Sequence, residues 1–307
     1  MPRARPQEPA DISQPGWRHL LERTWHAISS QHSSLIAAGI AFYGMWSFFP
    51  ALAAVVALGG WLFGEADILR LLSSIRPDLP ESVNVIVVGQ LAHIAQHTRT
   101  ISIVALLAFI AVGLWSAMRA MRGLVAAFNI IYQEEEKREF WRLQAMVFGF
   151  TCYGGVFLLM VLGSILAIPP WVHGTTWYGL LAVARWPLLM AALMASLAAL
   201  YRYGPSRRKA KWRWVSWGAT AAGLIWATGS LLFSFYVSRF AQFNPLFGSL
   251  GAVIVFYLWS YLTVLTVLAG AQVNAEMERE TGHAQPARES KVPQMDTPRR
   301  KRKASNR

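Results

Sequence analysis

An all-α, polytopic membrane fold with six transmembrane helices is what this sequence predicts, and three observations predict it. Six stretches of about 18 or more residues are almost free of charge, long enough to cross roughly 30 Å of hydrocarbon at 1.5 Å per residue. Only 15% of residues are charged and the mean hydropathy is +0.33, whereas a soluble protein needs about 25% charged residues to cover its surface. Lys and Arg are distributed unevenly between alternate loops. Of the 29, 24 fall before the first stretch, within 119–142, within 202–213 or after 275, and four fall on the opposite side. The positive-inside rule then places both termini in the cytoplasm, and an even number of spans agrees. Alternation with period two is absent, so helices are the remaining way to satisfy the backbone in lipid. The 14 Trp residues suit the headgroup belts, where an apolar ring meets lipid and its N–H meets water.

Taken in order, residues 1–33 are a cytoplasmic segment, 34–276 the transmembrane domain and 277–307 a basic, disordered tail. In the first segment Trp17, Leu20, Leu21, Trp25 and Ile28 recur at helical spacing opposite Arg18, Glu22, Arg23 and His26. That pattern fits a helix lying in the membrane interface, or one packed on another part of the protein. The spans are expected at about 35–64, 101–118, 143–171, 177–201, 214–238 and 250–275. The first is too long for the apolar region of a cleavable leader and is expected to insert uncleaved. Between the first two spans, Ala66–Ile75 and Val83–Thr98 read as short amphipathic extracytoplasmic helices. Pro77 and Pro80 forbid one continuous helix there. The tail carries the run Arg299-Arg-Lys-Arg-Lys303, which either holds anionic headgroups or stays solvated.

Polar residues inside the spans are the candidates for function, because they must face protein or water rather than lipid. In the first span Tyr43, Ser47 and Pro50 share a face at i, i+4 and i+7. Pro50 removes a donor and crowds the carbonyl of Trp46, which predicts a bend. That bend either lines a cavity or is repaired by neighbouring helices. Arg185 is the one formal charge within a span; it either snorkels to the outer interface or faces an anion. The stripe Ser216, Thr220, Gly223, Ala227, Ser230 and Ser234 in the fifth span predicts close helix packing, with a polar conduit as the alternative. Asn244 precedes the sixth span, which carries Tyr257, Ser260, Tyr261 and Thr263, then Gln272 and Asn274 toward its cytoplasmic end. A partly hydrated space between the first, fifth and sixth spans is expected, shared by Tyr43 and Tyr257.

Soluble-type catalytic patterns are poor. His93 and His97 stand at i, i+4, but Ile94 follows where a zincin has Glu, so helix-surface histidines are the better reading. Glu134–Glu136 suit a solvated helix start. Cys152 is expected to be a buried structural thiol. No Gly-rich nucleotide loop occurs, and neither an enzyme nor a bound cofactor is expected. The basic loops favour membrane lipids, including anionic headgroups, over any specific nucleic acid.

Several stretches in this order resemble the YihY/BrkB family of bacterial inner-membrane proteins. They are Leu35–Pro50, Arg122-Gly-Leu with Phe128-Asn129 and Tyr132, Leu200-Tyr-Arg-Tyr-Gly-Pro205, Leu231–Ser238, Phe247–Ile254 and Gly270-Ala-Gln-Val-Asn-Ala-Glu276. The resemblance covers roughly residues 20 to 280. It implies six transmembrane helices, cytoplasmic termini and location in the bacterial inner membrane. The family has carried the label of ribonuclease BN and that of a virulence or serum-resistance factor, with transport or lipid handling suggested for some members. It supplies no catalytic residues to carry over. The expected function is transport, or translocation of a lipid or other anionic amphiphile. The alternatives are a membrane-bound ribonuclease and a non-catalytic envelope assembly or virulence factor.

Overall fold

A computed structural model describes residues 14–30, 32–75, 103–172, 177–207, 212–240 and 249–280. Seven helices make up its regular structure, and no strand occurs among the described residues. They are α1 (Gln14–Ser30), α2 (Ser33–Ile75), α3 (Ile103–Tyr132), α4 (Phe140–Val172), α5 (Trp177–Tyr203), α6 (Trp212–Phe240) and α7 (Ser249–Glu280). Six of them, α2 to α7, are long and apolar enough to cross a membrane.

Two boundaries differ from those expected. The helix that carries the second charge-free stretch does not stop at Met118 but continues to Tyr132. Arg119 and Arg122 are good helix formers, and charge ends a hydrophobic run without ending a helix. Residues 66–75 are not a separate short helix, because α2 runs unbroken to Ile75. No proline stands between Gly64 and Ile75 to interrupt it. Val83–Thr98, with His93 and His97, lies outside the described residues, as do Asn244 and the tail beyond Glu280.

The helices pack as neighbours in sequence and also across the bundle. α2 lies along α3, α7 touches both α2 and α6, and α5 packs on α6. The main core brings together Ala37 of α2, Phe128 of α3, Tyr201 of α5, Ala219 of α6 and Ala271 of α7. In an up-and-down bundle these positions share one end, the end that carries α1 and the last turns of α7. A smaller cluster of Ala54, Ala57 and Leu106 joins α2 to α3 further along.

Small residues decide the closest approach. A Cβ on Gly218 of α6 would collide with the Asn274 side chain and the Gly270 carbonyl. One on Gly270 of α7 would sit 2.5 Å from the Tyr201 hydroxyl and 2.6 Å from Ala222 Cβ. The expected stripe is only partly the packing face. Gly223 meets Met194 of α5, but Ser216 and Thr220 are exposed, and the Thr220 hydroxyl bonds the Ser216 carbonyl at 2.9 Å. Cys152 is exposed rather than buried. It lies on α4, whose apolar faces stand largely uncovered, as lipid permits.

A polar clasp at one end of the bundle as the candidate functional site

The most polar part of the described bundle is built on the last turn of α3. Gln133 adopts a left-handed conformation (φ 55°). Its N–H bonds the Ile130 carbonyl at 3.1 Å, and the Glu134 N–H bonds the Asn129 carbonyl at 2.9 Å, the pairing of a Schellman stop. This turn folds residues 134–139 back over the helix end. Asn129 is buried there; its amide donates to Glu136 at 3.0 Å and its carbonyl oxygen accepts from the Ser206 N–H at 2.8 Å. The Lys137 N–H reaches the Ser206 hydroxyl at 3.1 Å.

Arg138 closes the end of α5. Its guanidinium donates to the carbonyls of Tyr203, Gly204 and Pro205 at 3.0, 2.8 and 2.7 Å. That of Tyr203 is one of the carbonyls a helix end leaves without an intrahelical partner, and the other two belong to the turn that follows. Gly204 is required at this turn, because a Cβ there would stand 2.9 Å from the Phe128 ring and 2.5 Å from the Leu200 oxygen. Glu134–Glu136 are therefore not simply a solvated helix start. Glu134 pairs with Lys137 at 3.2 Å and is 14% exposed, and Glu136 faces Arg138 at 3.6 Å.

On the other side of the clasp, Arg207 stacks 4.0 Å above the Tyr132 ring. It donates to the Tyr201 carbonyl at 3.1 Å and grips both carboxylate oxygens of Glu278. The Arg207 and Glu278 side chains are 8% and 14% exposed. Two residues before Glu278 and on the other face of α7, Glu276 (5% exposed) accepts from Gln272 at 3.2 Å and pairs with Arg279, while Arg23 of α1 approaches it to 3.6 Å. Arg279 also donates to the Ile131 carbonyl at 2.9 Å, capping α3. α1 thus packs on α7, and Trp25 projects outward.

The expected site residues are dispersed around this clasp. Asn274 lies within it; its oxygen accepts from the Gly218 N–H at 2.8 Å. Tyr257 donates to the Ala38 carbonyl at 3.2 Å and the Tyr261 hydroxyl meets Ser34 at 2.8 Å, so both tie α7 to α2. Tyr43 faces α3, with the Arg119 guanidinium carbon 5.8 Å from its ring centre. Ser47 donates to the Gly44 carbonyl at 2.7 Å rather than to that of Trp46, and Pro50 lies opposite Gly113 of α3. Arg185 of α5 is half-buried over the Trp186 ring at 5.3 Å. Its Nε is shielded and finds no hydrogen-bond acceptor among the described residues. A cleft between α6 and α7 is lined by Trp226, Ser230, Phe233, Trp259 and Thr263, with neither Tyr43 nor Tyr257 in its wall. No group of three or more His, Cys, Asp or Glu side chains is placed to hold a metal ion among the described residues.

Arg138, Arg207 and Glu278 escaped the sequence reading, because each lies in a polar loop or helix end that resembles solvated surface. A signal was nevertheless present. Phe128-Asn129 with Tyr132, Leu200–Pro205 and Gly270–Glu276, three separate stretches behind the family resemblance, converge on this clasp. The comparison with known proteins agrees. Residues 24–294 match the family described as virulence factor BrkB. The chain belongs to that family.

Among its relatives is a ribonuclease-like protein, YfkH, of Bacillus subtilis, 30% identical over 79% of this chain and 89% of its own length. A UPF0761 membrane protein of Psychromonas ingrahamii is 23% identical over 83% of this chain and 86% of its own. A UPF0761 membrane protein of Chromobacterium violaceum is 28% identical over 70% of this chain. The chain spans about half the length of that last relative, 50%. No solved structure matches. The protein is an integral membrane member of the BrkB family.

Proposed function

We propose that this BrkB-family protein translocates an anionic amphiphile, a lipid or a smaller molecule of like charge, across the bacterial inner membrane, with the clasped end in the cytoplasm. Arg185 is the observation that supports this most directly. A guanidinium within a span is costly in hydrocarbon, and here one of its nitrogens is shielded yet has no acceptor among the described residues. An anionic group arriving beside it would supply the missing partner, and guanidinium matches phosphate and carboxylate oxygens. The basic residues at the clasped end provide an attractive field on the cytoplasmic face. The clasp itself holds α1, α3, α5 and α7 together while the opposite half of the bundle rearranges.

The test is flux. Purified protein in liposomes is loaded with fluorescent phosphatidylglycerol or phosphatidylcholine, and loss of the inner-leaflet label to an external quencher is followed. Transfer of the anionic lipid should exceed that of the zwitterionic one. Arg185→Gln should slow it by roughly 10- to 150-fold, matching loss of a charged hydrogen bond of roughly 1.5–3 kcal/mol, with insertion unchanged. Absence of flux for lipid and for small anions alike would overturn the reading. The ribonuclease-like name of the Bacillus subtilis relative makes RNA cleavage by the same preparation the competing outcome.

A further inference from the structure

The exposed face of α3 runs Val112, Trp115, Arg119, Arg122 and Ala126, spaced three, four, three and four. That is one stripe along a helix, and in a spanning helix an exposed stripe meets lipid. Two arginines on it call for a partner. Among the described residues neither pairs with a carboxylate. Arg122 donates to the amide oxygen of Gln144 on α4. Arg119 lies 4.3 Å over the Trp115 ring and 5.8 Å from that of Tyr43.

The depth of the pair follows from its neighbours. Phe140 and Trp141 begin α4 and are 60% and 79% exposed, as aromatic residues of a headgroup belt are. Gln144 is three residues further in, about 4.5 Å along the axis, and Arg119 is one more such step from Arg122. Both residues are therefore rooted within roughly 10 Å of the belt, at the boundary between headgroups and acyl chains, where a long Arg stem brings its guanidinium within reach of a lipid phosphate. Trp115 backs the Arg119 guanidinium, and no hydrogen bond to another described residue occupies its N–H groups, so two parallel bonds to one phosphate remain open to it.

We infer that Arg119 and Arg122, backed by Trp115 and Tyr43, form a binding site for the phosphate of an anionic glycerophospholipid on the outer surface of the bundle. The site lies between α2, α3 and α4, in the leaflet at the clasped end. Two cations without a carboxylate favour a headgroup of net negative charge over a zwitterionic one, whose own ammonium they repel. The site depends on the membrane placement of the helices and is independent of transport through the interior and of Arg185.

Native mass spectrometry of the full chain released from detergent micelles tests it, with phosphatidylglycerol and phosphatidylcholine of matched acyl chains. The wild-type protein should retain phosphatidylglycerol in preference, and soluble glycerol phosphate should not displace it, since the acyl chains contribute to binding. The double variant Arg119→Gln/Arg122→Gln should lose that preference by about tenfold, the scale of charge-assisted bonds to phosphate. Arg119→Lys/Arg122→Lys should lose only part of it, and Arg239→Gln, an exposed arginine in the last turn of α6, none. Equal retention of the two lipids by the wild-type protein overturns the inference even if the double variant does not fold. Unchanged preference in a folded double variant overturns it too, as does displacement by glycerol phosphate, which would mark a plain phosphate site.

Discussion

Arg207 shows why a basic loop cannot be treated as uniformly solvated. Its guanidinium sits between the Tyr132 ring, the Tyr201 carbonyl and the Glu278 carboxylate, and both charged side chains are nearly closed off from solvent. Removing one member of a buried pair leaves the other charge uncompensated, at about 3–5 kcal/mol. Arg207→Met should therefore lower the stability of the protein in lipid nanodiscs by that order, read from thermal or denaturant unfolding. Arg207→Met with Glu278→Leu should recover most of the loss, because an apolar pair of similar volume can replace a buried ion pair at little cost. Unchanged stability in Arg207→Met would mean that the clasp is solvated in the membrane protein.

At the scale of the helix, the decisive contact is the crossing of α6 and α7. Gly218 and Gly270 allow these backbones to approach until the Asn274 side chain bonds the Gly218 N–H at 2.8 Å. The Tyr201 hydroxyl reaches the Val267 carbonyl at 2.7 Å from α5. Gly270→Ala forces a methyl against Tyr201 and Ala222 and should cost about 1–3 kcal/mol by overpacking. Gly39→Ala, with nothing within 4 Å of the added carbon, should not destabilise and should gain up to about 1 kcal/mol from the better helix propensity of Ala. Equal effects in unfolding would show that α6 and α7 do not cross here. The number and order of the spanning helices were legible in the sequence, since hydrocarbon thickness sets a minimum apolar length. The packing face was not. Spacing identified small residues on α6, but Ser216 and Thr220 proved exposed while Gly218 and Ala222 met α7. Periodicity marks faces of a helix without saying which neighbour each face meets, and in lipid an apolar face needs no protein cover.

At the scale of the whole bundle, the described residues are polarised, with their main core, their buried ion pairs and α1 at one end. That end was legible as an excess of Lys and Arg, but its architecture was not. The bonds joining Asn129 to Ser206, Arg138 to Tyr203 and Arg279 to Ile131 link residues far apart in sequence, and no local pattern announces them. The same polarity makes orientation testable. In a background with Cys152 replaced by Ser, single cysteines at Ser73 and Thr175 should react with an impermeant thiol reagent added outside intact cells. Ser206 is a poor reporter of the inner face, because its N–H and hydroxyl are both engaged. Glu135, exposed in the turn after α3, is the better position, and Glu135→Cys should react only after the membrane is opened. The 24 positive residues assigned to that side against four on the other make the reverse pattern costly to insert. Labelling of Glu135→Cys from outside, with Ser73→Cys protected, would put the clasp outside the cell and remove the cytoplasmic leaflet from every assignment made above.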